Sequence, residues 1–312
     1  SQTCPLSLGF VGAYAVAVYC PAAGDAGAGA VDAGVTPATI MSFTGTGLAT
    51  SATLTTAANT GFAGDKAGAH ILFGTAAGLQ VASLAAGTAS TIDAAGTTGA
   101  FTSDGNHVIY LTTGGGISTA ATTGSPSPTT LVASGGFTGL LGLSPNDAYV
   151  LVYKSQTTTA AGDTVNDEYV ASTTTPGNAT ALSAGVTSAL YGDPFTADST
   201  HVMYDQNVSG GTGDFTTQAV SGTAAATQGP TNWIWSSTSA GKALFNANYA
   251  QGGNQGGTAD LLAVDTAGSG APTLLVTQAD AFYYLTAAKD KVVYSWSYLP
   301  NSWSGIWVLP VP

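Results

Sequence analysis

The chain has no arginine and only five lysines against seventeen acidic residues, so its formal net charge is −12. Phosphate backbones are held by clustered Lys and Arg, so a nucleic-acid partner is excluded. Anionic membrane surfaces are disfavoured for the same reason. No apolar stretch is long enough to span a bilayer, so membrane insertion is not expected. The single glutamate, Glu168, would leave a paired-carboxylate glycosidase dependent on aspartate. No Gly-x-Ser-x-Gly elbow, His-Glu-x-x-His helix or Gly-x-x-x-x-Gly-Lys loop occurs. With only 7% charged residues, the exposed surface must consist largely of Thr, Ser, Gly, Asn and Ala. Such a surface repels its own copies weakly and suits packing against other copies or a neutral polymer.

Cysteine is almost as scarce. Cys4 and Cys20 flank the first expected hairpin. A turn centred near Gly12 sets them opposite each other across antiparallel strands, where a disulfide fits. Alignment of this segment on the later repeats moves the turn and offsets the pair, leaving two buried thiols as the alternative. A bridge would require an oxidising compartment. The opening Ser1-Gln2-Thr3-Cys4 suits a mature terminus left by signal-peptide cleavage, so a secreted or cell-surface location is expected.

What the chain does have is a repeat. Seven short apolar runs end in an aromatic residue: Tyr19, Phe73, Tyr110, Tyr153, Tyr204, Phe245 and Tyr294. The mean step is about 46 residues, a period which, built from short strands, marks a β-propeller. The best-preserved unit reads Phe101-Thr102-Ser103-Asp104-Gly105-Asn106-His107-Val108-Ile109-Tyr110. A strand ends at the Ser-Asp-Gly-Asn turn and a second begins at once. Leu143-Ser144-Pro145-Asn146-Asp147 and Phe195-Thr196-Ala197-Asp198-Ser199 follow the same script. Third and fourth strands follow, as in Asp260–Asp265 and 272–276. The second strand is apolar at consecutive positions, as a strand buried on both faces requires.

These turn–strand units, followed by a strand and a Gly-rich turn, resemble the repeats of TolB-type propellers, relatives of the WD-repeat propellers. The resemblance covers residues 6–312 and implies architecture only, since such propellers serve as scaffolds, ligand binders and parts of hydrolases. The expected fold is all-β, a seven-bladed propeller of four-stranded antiparallel blades. The blades fall near 4–58, 59–96, 97–136, 137–184, 185–230, 231–278 and 279–312, one domain in all. The final unit has strands near 281–286, 290–296 and 304–310 and then ends. Its edge is therefore bare, self-closed or covered by a neighbouring chain.

The repeat also disposes of residues that look catalytic. His70, His107 and His201 occupy one repeat position, three residues before the strand aromatic, where units around a ring cannot bring them together. Asp65, Asp104, Asp147, Asp198 and Asp290 are turn residues between first and second strands. Two irregular groups remain. Asp163, Asp167 and Glu168 form the densest acidic cluster, expected on a loop, and their oxygens suit Ca²⁺. Trp233, Trp235, Tyr249, Trp296, Tyr298 and Trp303 gather around the last two units, where exposed rings suit sugar stacking or protein contact. Long connections at 21–37, 154–166, 205–213, 247–258 and 295–304 would carry them.

The sequence favours a non-enzymatic extracellular module that binds or assembles at a cell surface and requires no cofactor. Its partners would be further copies of itself, an extracellular protein or a glycan. A carbohydrate-binding propeller using the loop Trp and Tyr residues is the second reading. A secreted hydrolase or lyase with aspartate-based, calcium-dependent chemistry is the third.

Overall fold

Each of the seven apolar runs becomes a strand, because β-branched and aromatic residues fill a pleated, buried surface well and turn residues bound most of the runs. The computed structural model describes residues 7–19, 38–44, 51–124, 126–182, 184–187, 194–222, 225–231, 235–239, 241–252, 256–267, 270–280, 283–298 and 303–311. Among them strands are the only regular elements, and no helix crosses a membrane.

The chain divides into two compact units, residues 1–140 with 175–177 and residues 141–174 with 178–312. In the first, seven strands form one antiparallel meander in chain order: Ser7–Val11, Tyr14–Tyr19, Ala38–Thr44, Ser51–Gly64, His70–Thr75, Gly78–Ser83 and Thr88–Asp93. The fourth strand is fourteen residues long and belongs to two repeat units. Its first half pairs with Ala38–Thr44 and its second half with His70–Thr75; Ala58 faces both Ala38 and Thr75. The boundary expected after residue 58 thus falls inside a continuous strand. A separate four-stranded sheet follows, Gly96–Phe101, His107–Thr112, Ile117–Ala121 and Thr129–Val132.

The second unit repeats the pattern. Gly139–Leu143, Tyr149–Thr158, Thr164–Ser172 and Thr180–Ala181 make one four-stranded sheet, and Trp235–Ser237, Lys242–Gly252, Gly256–Asp265 and Thr273–Asp280 another. Between them His201–Ser209, Thr212–Ala219 and Ala226–Thr231 form three strands, extended by the antiparallel bridges Thr187–Asp205 and Phe195–Val202. The last sheet has three strands, Tyr283–Leu285, Lys291–Tyr298 and Trp303–Pro310.

Within each unit the sheets pack face to face through the consecutive apolar residues. Val202 and Tyr204 join Leu151, Val170 and Phe195 on one side, whereas Met203 joins Phe215, Ala243 and Phe245 on the other. The Phe215 and Phe245 rings stack at 4.7 Å between centroids. Leu72 and Leu79 likewise meet Val108 and Tyr110. Burial of an apolar run from both sides is thus achieved by alternate side chains serving alternate neighbours. This series of antiparallel sheets is the repeat architecture of a β-propeller.

The connections expected to be long loops are a correction. Residues 154–166, 205–213, 247–258 and 295–304 are mostly strand, because the second and third strands run on into extended hairpins. A bulge follows the aromatic in three of them, with register shifts at Tyr153/Gln156, Gln206/Ser209 and Ala247/Ala250. Asn207 and Asn248 take the left-handed conformation there, each at φ 55°, and pairing then resumes. Asn tolerates that conformation. The extensions are Thr-, Asn- and Gly-rich without apolar alternation, so a period-two reading passes over them. Segment 21–37 lies outside the described residues.

The turns between first and second strands share one chemistry. The Asp104 carboxylate accepts from the Thr102 hydroxyl (2.6 Å) and the Asn106 amide (2.9 Å), and Asp198 accepts from Thr196 (2.6 Å) and Thr200 (3.1 Å). The hydrogen bonds from Thr102 and Asn106 hold the Asp104 carboxyl down at about 2. In the unit at 144–149 this place is taken by Asn146, which accepts from the Ser144 hydroxyl at 2.8 Å. Asp147 comes one residue later, at φ 59°.

Candidate interaction surface

The acidic cluster does not converge. Asp163 closes a turn, where its carboxylate accepts from the amides of Gly210 (2.6 Å) and Gly211 (3.3 Å) and so ties two hairpins together. Asp167 and Glu168 lie in strand Thr164–Ser172, not in a loop, and as sequence neighbours they leave opposite faces. Asp167 accepts from the Ser155 hydroxyl and the Gly185 amide. Glu168 is 1% exposed and accepts from the Asn166 side chain at 3.3 Å. Among the described residues no group of three acidic, His or Cys side chains gathers in a way that would hold a metal.

The histidines stand at strand starts, as the repeat requires. His70 Nδ1 lies 2.9 Å from Asp65 Oδ2, and that carboxylate also accepts from the amides of Ala69 (2.7 Å) and His70 (3.1 Å). Burial opposes ionisation of Asp65, but the bonds from His70 and Ala69 outweigh it and lower its pKa. His201 Nδ1 lies 2.8 Å from the Thr200 hydroxyl. Burial lowers the His201 pKa despite the nearby Asp198 charge. These contacts fix turns and strand ends.

Of the aromatic group, Trp233, like Cys4 and Cys20, lies outside the described residues. Trp235 begins a strand opposite Phe245. Tyr249 sits in the bulge of hairpin 242–265, is exposed, and lays its ring over Gly257. Trp296, Tyr298 and Trp303 come together in the last hairpin, with Tyr298 directly opposite Trp303 and Trp296 opposite Gly305. The structure therefore groups three of the six in one ribbon and places Tyr249 and Trp235 in another sheet.

The sequence pointed to the end of the chain, and the structure gives that end a specific form. Trp303–Pro310 is the outer strand of its sheet, paired on one side with Lys291–Tyr298. Among the described residues no strand pairs with its other side. Ile306 is 77% exposed, Val308 58% and Trp307 49%. Ile306 and Val308 leave one face and Trp307 the other, so apolar side chains stand free on both. The strand carries no charged residue, and its first proline is its last position. Edges of this kind are usually blunted by lysine, proline, a bulge or a covering element.

In the first unit a cavity of about 260 Å³ is lined by Phe62, Leu72, Phe73, Leu79, Thr98 and Gly99, among others. Its wall carries no titratable side chain, and a mostly apolar cavity of this size offers no acid, base or nucleophile.

No protein-family model matches the chain, and no curated protein matches its sequence. Solved structures do. A TolB protein from Agrobacterium tumefaciens is 15% identical over 68% of this chain and 76% of its own, with a TM-score of 0.38. The β-propeller domain of the Trilobed protease from Pyrococcus furiosus is 11% identical over 97% and 95%, with a TM-score of 0.44. A eukaryotic initiation factor is 11% identical over 78% of this chain, which spans 61% of that one, with a TM-score of 0.49. At these identities and scores the likenesses assign no activity, and the repeat architecture stands on the sheets themselves.

Proposed function

We propose that the chain is an exported, non-enzymatic propeller of seven blades that acts as an extracellular structural or interaction module and associates with copies of itself. The strand series supports seven units: two share the long strand Ser51–Gly64, four more follow, and the last has three strands. The observation that carries the functional reading is the uncharged outer strand Trp303–Pro310, apolar and exposed on both faces. A strand added by a second copy would satisfy its outward backbone groups and bury Ile306 and Val308. The scarcity of charge lowers the repulsion that such association must overcome.

The test is size-exclusion chromatography with light scattering and electron microscopy, on the native chain and on Ile306→Lys. The native chain is expected to form larger species, filaments or layers as concentration rises, and the variant to stay smaller. A strictly monomeric native protein at high concentration would remove the proposal. The hairpin that groups Trp296, Tyr298 and Trp303 supports a second reading, a glycan-binding surface. A blank glycan array, or binding unchanged in Trp303→Ala, would count against it.

A further inference from the structure

Strand His201–Ser209 carries an acid that belongs to none of the turns. Asp205 is 0% exposed, and neither of its carboxylate oxygens makes a hydrogen bond among the described residues. Its partner across the sheet is Phe215, whose ring is stacked on Phe245, so one wall of its surroundings is apolar. On the other side it bridges Thr187.

Gly213 lies two residues before Phe215 on the same face of Thr212–Ala219. A Cβ at Gly213 would stand 2.9 Å from Asp205 Cβ and 3.2 Å from both its Cγ and the Gln206 carbonyl oxygen. Only a glycine there leaves room for the Asp205 side chain. Directly opposite Gly213 in the next strand is Thr231, 1% exposed, whose hydroxyl also makes no hydrogen bond among the described residues. Two buried, unpartnered oxygen groups thus flank one glycine on one face of a sheet.

The chemistry of that space is one-sided. Once ionised, the two carboxylate oxygens accept only, as does the Gln206 carbonyl, and the Thr231 hydroxyl can also donate. Asp214, beside Gly213, adds a second negative charge felt at Asp205. Among the described residues neither acid forms an ion pair; Lys242, on the neighbouring strand Lys242–Gly252, is engaged with Asp265 at 2.7 Å. A neutral molecule could satisfy the acceptors without balancing the charge. A hard cation does both, and oxygen donors are what it takes.

We propose that Asp205, Thr231 and the Gln206 carbonyl form a buried site for a hard divalent cation of the calcium type, beside Gly213. The ion would tie the strands His201–Ser209, Thr212–Ala219 and Ala226–Thr231 together from inside. The site is distinct from the Asp163, Asp167 and Glu168 group and independent of the association reading.

The full chain, stripped with EDTA, is titrated with calcium chloride at about pH 8.5 by calorimetry, with thermal melting alongside. One ion per chain is expected to bind and raise Tm. Asp205→Asn abolishes this effect. The near-isosteric Thr231→Val, which removes only the hydroxyl, weakens it by about tenfold or more. No heat and no Tm rise with calcium overturns the proposal. Binding that persists in both variants overturns it equally, because the ion would then sit elsewhere.

Discussion

Replacing Asp205 with asparagine keeps the shape of the side chain and removes its charge. Burial first, and Asp214 second, raise the folded-state Asp205 pKa from 3.8 to about 8. An acid whose pKa is raised on folding supports the fold fully below its ordinary pKa, and that support is lost as pH climbs through the folded value. A shift of about four pH units is worth roughly 5 kcal/mol, complete by about pH 9. That is comparable with the whole net stability of a typical domain, about 5–15 kcal/mol. The asparagine cannot ionise and escapes the loss. Its amide adds a pH-independent offset of about 1–3 kcal/mol if its own groups stay unpaired. Urea unfolding followed by circular dichroism, in EDTA near pH 4, 6, 8 and 9, reads the difference. The native chain is expected to lose ground on the variant steadily between pH 4 and 9, by several kcal/mol in total. A difference between the two that stays flat with pH would refute the reasoning.

Asp65→Ala removes the acceptor of two amides and the His70 ring. It should cost about 1–3 kcal/mol at neutral pH by chemical denaturation. Because the Asp65 pKa is lowered, the gap should close as pH falls through its folded value, and a gap unchanged in acid would contradict this account of the turn. Phe245→Ala empties one half of the stack on Phe215 and should lower stability by about 3–5 kcal/mol; a loss under 1 kcal/mol would show that the sheets are not locked there. Tyr204→Phe deletes the buried bond to Gln218, 2.8 Å long, and should cost about 1–2 kcal/mol with little change in volume.

The repeat was readable because its signal is local. An apolar run buried on both faces needs no knowledge of its neighbours to be recognised, and the Asp and His residues beside it could be assigned to turns on spacing alone. The Asp65, Asp104 and Asp198 contacts agree with that assignment. Where pairing continued past a bulge the signal failed. Lys154-Ser155-Gln156-Thr157 and Asn246-Ala247-Asn248-Tyr249 carry no alternation, yet their hairpins extend because backbone pairing does not depend on apolar side chains. The same limit hid the shared strand Ser51–Gly64, whose Thr- and Ala-rich sequence shows no break where one repeat passes into the next. Asp163, Asp167 and Glu168 are close in sequence and separate in space, because strand geometry sends neighbours apart.

Asp205 was missed although a signal existed. The residue after each strand aromatic is Cys20, Gly74, Leu111, Lys154, Asp205, Asn246 or Ser295. Only two of these carry a formal charge. Lys154 meets its need by lying 4.4 Å from the Tyr169 ring centroid, and Asp205 is wholly buried. Comparison of that single position across the repeats would have singled it out. Thr231 and Gly213 had no such signal, because only strand register brings them together with it.

The central functional claim rests on strand Trp303–Pro310 as a meeting edge, and hydrogen–deuterium exchange of that strand across a concentration series tests it most directly. Its amides are expected to exchange quickly in dilute solution, to become protected as concentration rises, and to stay exposed in Ile306→Lys at every concentration. Protection that is independent of concentration and unchanged in the variant would contradict it.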